Sequence, residues 1–380
     1  MILPKNAPRR YDGNFAIVPP SPMINSLKRL FARPQAVVPA APTGATTLYN
    51  IYCTRHTIAQ PAFAHELQGR RDLSDSELLV HLHGFCGYVF SRGTEAMTRD
   101  KYHVILHMQR VQHHLSMEVA EDALPELHAW ARDANALLFT PDGHVRDPDG
   151  HVLINVADGQ AAADARVPYP AKAWTRKSAT EAMLAARGIA VPDSLPPLAC
   201  EEEVTLRERD EVIGRARALL LVALRAESVA AGEPMPVATL LDKMPLADDS
   251  LSPAERTFLA LESPSEHECA QFLWRYESLY VLQWALGMVD ELPYPDAPCD
   301  TAAAVARQIE MRGPQLRDAS QIVDALDQTY RLHWNIRQIR LKKTGADFGA
   351  DADVVMERHH ALNWLVRFQH ADWDFVDTPT

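Results

Sequence analysis

The feature that most constrains this 380-residue chain is a change of hydrophobic period close to residue 172. Upstream, apolar residues come in short runs and alternations broken by Gly, Pro and Asp; downstream they recur at helical spacing to the end of the chain. A period of two builds half-buried strands, and a period near 3.6 builds amphipathic helices, so the two stretches cannot share one architecture. The length also exceeds the roughly 100–200 residues of a typical domain. The expectation is an α+β domain at residues 46–157, a linker at 158–172 and an all-helical domain at 173–380. Residues 1–45 hold eight prolines and little periodicity, and are expected as a disordered, basic, Pro-rich tail.

Within the first domain, Leu48–Cys53 is rich in β-formers and reads as a strand. Ser74 and Glu77 make a capping-box pattern opening a helix to about His83, with Gly84 as its stop. Phe85–Ser91 then reads as a strand, and Tyr102–Val119 as one long strand or two short ones. Asp122 caps a predicted helix to about Asn135, and Ala136–Thr140 returns as a strand. Two Pro-Asp-Gly turns, at 141–143 and 148–150, frame a hairpin ending at Val152–Asn155. The order β-α-β-β-α-β points to a ferredoxin-like sandwich.

In the second domain, Ser178 and Glu181 open a helix that Gly188 ends, and Glu202–Ala231 is a long helix closed by Gly232. Ser252-Pro253 marks an N-cap followed by proline at the first helical position. Ser265 and Glu268 start a helix predicted to run to Gly287, and further helices are expected near 300–312, 319–342 and 353–369.

Charge narrows the partners. The net charge is −12, and because residues 1–45 carry six basic side chains against one acid, the remainder stands at −17. That balance speaks against nucleic acid, whose binding needs a basic face to displace counterions. No apolar stretch reaches the roughly 20 residues of a transmembrane helix. Five scattered cysteines without CxxC spacing, and no secretory leader, lead to the expectation of a cytoplasmic protein. Met23–Arg33 has the pattern of a short basic amphipathic helix, for a membrane surface or a partner, or simply a nascent helix in a tail; Met23 is also an alternative start.

The residues from about 173 to 380 resemble the bacterial family known as domain of unknown function 4272. The resemblance rests on LSPAERTFL (251–259), FLWRYESLYVLQWALG (272–287), ELPYP with Cys299-Asp300, DALDQTYRLHWNIRQ (324–338), VMERHHALNWL (355–365) and WDFVDTPT (373–380). Phe375 stands where the family pattern leads to an acid, and Asn335 where it leads to a small apolar residue. The resemblance implies a domain class and carries no activity and no catalytic set.

Chemistry has few signals. There is no Gly-rich phosphate loop, GxGxxG, GxSxG or HExxH, so no cofactor is expected. The helical domain does place polar groups inside strongly apolar runs: Glu277, Asp327, His333, Glu357 and His360 are the candidate site residues. Glu357 and His360, at Glu-x-x-His spacing, share one helical face and are the candidate metal ligands; di-iron carboxylate bundles need a second such motif, which this domain lacks. The plainer account of the acids is structural ion pairing with Arg275 and Arg331. His103, His107, His113 and His114, with His81 and His83, form a second group; as strand residues His103 and His107 lie about 13 Å apart, too far for one metal. Asp142, and Asp147 with Asp149 and Gly150, fit turns better than a calcium loop.

Three functions remain: an interaction or regulatory module with an unknown protein partner, an enzyme with an acid and histidine site between the C-terminal helices, and a membrane-peripheral protein held by the basic tail.

Overall fold

A computed structural model of the chain describes residues 41–42, 44–94, 96–343 and 348–380. The Met23–Arg33 segment, and with it the membrane-peripheral reading, lies outside the described residues. Among them, no helix is long and apolar enough to cross a membrane.

The first part is built on one sheet. Its elements are β1 (Thr46–Cys53), β2 (His65–Asp72), α1 (Ser76–Phe90), α2 (Arg99–Met108), β3 (His113–Ala120), α3 (Leu124–Asp133), β4 (Ala136–Phe139), β5 (Val145–Arg146) and β6 (Val152–Ile154). The strand order is β2-β3-β1-β4-β5-β6, and every neighbouring pair is antiparallel. Alternation along β1 sends Tyr49, Ile51 and Cys53 into a core with Leu127 and Trp130 of α3. Tyr52 faces the other way, into a core with Leu78 and Leu82 of α1 and Val104 and Met108 of α2. Helices thus cover both faces.

This is an α+β domain, but several local expectations give way. Phe85–Ser91 is not a strand: α1 runs through Gly84 and Gly87 to Phe90, because Leu78, Leu82, Phe85 and Val89 recur at helical spacing on its buried face. Its cap is Asp75, which accepts from Glu77 N, rather than Ser74. Tyr102–Met108 is not a strand either. It belongs to α2, capped by Thr98, and only His113–Ala120 pairs in the sheet. The apparent alternation of Val104, Leu106 and Met108 was a short window onto a helical pattern. The strand β2 was missed because its sequence, HELQGRRD, is exposed on both faces and carries no apolar signal. The resulting order departs from β-α-β-β-α-β: a second helix follows α1, and β2 is added at the edge.

Residues 158–170 carry no regular element, yet Ala165 packs into the core beneath α1 and α2. The second part comprises α4 (Ala171–Ala186), α5 (Arg209–Ala230), α6 (Val237–Lys243), α7 (Pro253–Leu259), α8 (Glu266–Leu273), α9 (Arg275–Ala285), α10 (Thr301–Ile309), α11 (Ala319–Lys342) and α12 (Ala352–Leu365). Both Ser252–Glu255 and Ser265–Glu268 form complete capping boxes. The helix predicted from Ser265 to Gly287 is two helices. Between them the ladder tightens, with Glu277 N donating to Trp274 O at 3.0 Å. The break lets Cys269 of α8 pack with Phe258 while Leu279 and Leu282 of α9 enter the main core. Helix α5 is central. Leu219 and Leu220 face the main core, and Leu221 and Val222 face the cluster with α7 and α8. Burial on two sides explains its apolar run LLLVAL.

Among the histidines buried in the sheet part, the rings of His107 and His114 resist protonation most. His107 Nε2 lies 3.0 Å from the Tyr52 carbonyl, and burial holds its pKa down to about 3. His114 stacks on Tyr52 and on His81, each at 4.8 Å between centroids, and burial holds it down to about 4. An unfolded chain would protonate both near 6.5. The unfolded state therefore binds more protons below that pH, and stability present at neutral pH is lost as the pH falls. Thermal melts from pH 7 to pH 4 should show a progressive fall in Tm beginning near pH 6.5, and His107→Gln should flatten its acidic end.

Candidate functional site

One group of polar side chains inside the helical part gathers around Trp373, in the segment after α12. Arg215 of α5 reaches Glu255 of α7, and both are buried. The Glu255 oxygen that accepts from Arg215 also accepts from Ser252 N at 2.9 Å, at the cap of its own helix. The guanidinium of Arg215 lies 4.9 Å from the Trp373 ring, and the His360 ring meets the same indole edge-on at 4.6 Å. Arg275 lies 6.0 Å from that indole and donates to Glu357 at 3.0 Å. Ser278 Oγ donates to the same carboxylate at 2.9 Å. Five segments thus meet at one point.

Burial raises the Glu357 carboxyl above the ordinary range, with Arg275 and the Ser278 hydroxyl pulling the other way and Glu277 adding repulsion. Burial, with Arg275 adding repulsion, holds His360 down to about 4, so its ring is neutral at pH 7. Several buried atoms in this cluster have no hydrogen-bond partner among the described residues: Arg215 Nε, Glu255 Oε1, Arg275 Nε, His360 Nε2 and Trp373 Nε1. Unpaired buried polar atoms are rare in native proteins, and a group of five calls for a reason.

The other sequence candidates take different places. Glu277 pairs with Arg358 at 3.3 Å and accepts from Cys299 N, while Arg358 also donates to the Pro293 carbonyl at 2.6 Å. Glu277 therefore fastens α9 to α12 and to the loop before α10. Asp327 is bound by Arg331, one turn on, through two bonds of 2.9 and 3.0 Å. Arg331 also reaches Glu181 of α4 at 3.2 Å. His333 meets His359 at 2.9 Å between Nδ1 atoms. One ring donates and the other accepts, so both stay neutral; burial holds His333 down to about 4 and His359 well below its ordinary value. The structure thus groups Glu357, His360 and Glu277 near one another and leaves Asp327 and His333 in separate contacts.

Sequence reasoning missed Arg215, Glu255 and Trp373. Arg207, Glu211 and Arg215 recur every four residues, a spacing that suits a ladder of pairs along one helical face. Of that ladder, Arg207–Glu211 forms at 2.6 Å, while Arg215 turns inward. The signal for Glu255 was its capping box, which gave no hint of a buried arginine beside it.

In the sheet part, His103 and His107 lie one turn apart on a helix, correcting the strand placement, and bond separate carbonyls of Ser194 and Tyr52. His113 contacts the His56 carbonyl and His114 the Asn50 side chain. Among the described residues, one group has side-chain atoms close enough to hold a metal: Asp147, Asp149 and His151, within 4.8 Å of one another. Asp147 accepts from the backbone of Asp149, His151 and Arg166 and from the His151 ring, so its carboxylate closes the turn. Asp149 bonds Arg132.

Removing one member of a buried pair leaves the other charge without compensation. Arg358→Met should destabilise the protein by about 3–5 kcal/mol, measured by urea unfolding. Adding Glu277→Gln should recover part of that loss.

A family model described as Domain of unknown function (DUF4272) matches residues 176–376. No curated protein and no solved structure matches the chain. The matched span contains every residue of the Trp373 cluster and each of Glu277, Asp327, His333, Glu357 and His360. It covers more than half of the chain, from α4 to the segment that carries Trp373, and on that ground the protein belongs to the DUF4272 family.

Proposed function

We propose that the protein is a non-enzymatic interaction or regulatory module whose helical part receives a protein partner. The observation that carries this reading is an open groove of about 540 Å³ bordered by α7, α8 and α12. Phe258, Leu261, Phe272, Trp274 and Met356 line it, with Glu268, Arg275 and Glu357 among them. Phe258 and Phe272 stack at 4.1 Å, and Met356 is 43% exposed. An apolar floor with charged groups at its border suits an amphipathic helix or an extended peptide carrying apolar anchors. The acids Glu277, Asp327 and Glu357 each have an arginine partner, across two helices for Glu277 and Glu357 and within α11 for Asp327, so pairing accounts for their burial.

An enzyme reading draws support from one specific feature. Glu357 lines the groove, its carboxyl favours the protonated form relative to an ordinary glutamate, and His360 follows one turn later with Nε2 unpartnered. A raised carboxyl beside a neutral histidine is an arrangement that acid–base catalysis uses. Structural networks perturb carboxyls in the same way, which leaves this the second reading.

Two substitutions separate them. The full chain, immobilised in lysate of its native cells, should retain a stoichiometric protein partner, and Met356→Glu should lose it while Glu357→Gln keeps it. Absence of any stoichiometric partner for the native chain would overturn the interaction reading. Under the enzyme reading Glu357→Gln abolishes turnover with Tm shifted by only a few degrees, because the amide mimics the protonated acid that burial favours.

A further inference from the structure

The two edges of the sheet differ. At one end β6 is covered: Ala162 N donates to Val152 O at 2.8 Å and Asn155 N to Gln160 O at 3.1 Å, so the segment after β6 folds back along it. At the other end lies β2, which among the described residues has β3 as its one strand neighbour. Glu66 to Arg70 are exposed, Leu67 at 49%, so no described helix of either layer covers this strand. An edge strand presents a row of backbone N–H and C=O groups that a further strand can pair.

The sequence of β2, HELQGRRD, is charged and is interrupted by a bulge between Leu67 and Gly69. Both features commonly keep other chains off an edge, yet here they make the strand complementary to itself. Take antiparallel pairing with a second copy about a two-fold axis between Gln68 and Gly69. Glu66 then meets Arg71 of the second copy, His65 meets Asp72, and Leu67 meets Arg70. Directly opposed side chains must share a face of the sheet. In a regular strand, residues an odd number apart, such as Glu66 and Arg71, point to opposite faces. The bulge changes that parity. His65 and Leu67 stand opposite Val119 and Met117, and Arg70 and Asp72 opposite Leu115 and His113, all on the face that α3 covers. Glu66 and Arg71 stand opposite Glu118 and His114, on the face that carries Tyr52, α1 and α2. All three pairings therefore join side chains of one face, and a slip of one residue would set each pair on opposite faces.

Electrostatics within one chain point the same way. Glu66 lies directly across from Glu118, and like charges so placed are destabilising. Arg71 approaches Asp75 at 3.5 Å with both side chains more than a third exposed, a contact of little energy. Arg71 of a second copy would set a cation beside the two acids.

We propose that β2 is the interface of a symmetric homodimer, in which two six-stranded sheets join edge to edge as one continuous antiparallel sheet. The contact is isologous and uses the β2 edge of both copies, and the covered β6 edges stop further addition. Assembly therefore ends at two. This interface is separate from the groove bordered by α7, α8 and α12.

Sedimentation velocity on the full chain over a wide concentration range tests this. The native chain should show a reversible monomer–dimer equilibrium with no larger species. Glu66→Arg should weaken the dimer about tenfold or more, because two symmetric contacts turn from attraction to repulsion. Its Tm should stay native or rise, since the repulsion from Glu118 is gone. Arg71→Glu should weaken the dimer similarly. Combining Glu66→Arg with Arg71→Glu restores both contacts with the charges exchanged and should bring the dimer back. The proposal fails if the native chain stays monomeric throughout, if Glu66→Arg leaves the dimer as tight as before, or if the exchanged pair dimerises no better than either single variant.

Discussion

Taking an arginine out of water is costly unless a carboxylate comes with it, and among the described residues four of the five buried arginines of the helical part bring one, Arg225 bonding the Met235 carbonyl instead. Arg331 is completely buried, with Asp327 against it and Glu181 beyond. Arg215 is paired with Glu255, and Arg358 with Glu277. Apart from Arg331–Asp327, each of these bonds joins different helices: α4 to α11, α5 to α7, α9 to α12. Such pairs contribute little net stability compared with well-packed apolar residues, because desolvation offsets much of the attraction. Their effect is selective. A helix shifted by one turn would strand a charge in an apolar interior, so the pairs penalise every register but one.

This constraint also orders the chemistry. Where pairing is complete, as at Asp327 and Glu277, the acid serves as a fastener. Where it is incomplete, polar atoms are left over, and many of these collect in two places. One lies around Trp373, behind the groove lined by Met356 and Glu357. The other lies at the seam between sheet and helices, where atoms of Arg110, Gln109 and Tyr330 are buried without partners among the described residues. Both lie at the junction of several chain segments, where local rules cannot satisfy every group.

Much of the architecture was readable before any coordinates. Caps at Ser252 and Ser265, and glycines closing helices at 188, 232 and 287, mark boundaries through local backbone chemistry, and Gly188, Gly232 and Gly287 do adopt positive φ. Helix starts expected at Ser178 and Glu202 fall instead at Ala171 and Arg209, and other readings failed where one local pattern supports two answers. Phe85–Phe90 and Tyr102–Met108 contain β-forming residues and brief alternation, but their buried positions follow a helical period set by the sheet beneath. The strand β2 has no intrinsic strand signal and exists because β3 offers it a partner.

The candidate site divides in the same way. Sequence alone determined that this chain has an α+β part followed by a helical one, and that Glu277, Asp327, His333, Glu357 and His360 interrupt apolar helical faces. Those are properties of period and composition along a single segment. Tertiary structure alone decided which of these groups meet. It set Glu357 and His360 beside Arg275 and Trp373, turned Arg215 inward to Glu255, and joined His333 to His359. A side chain's partner across tens or hundreds of residues depends on how helices cross, and no local pattern encodes that geometry.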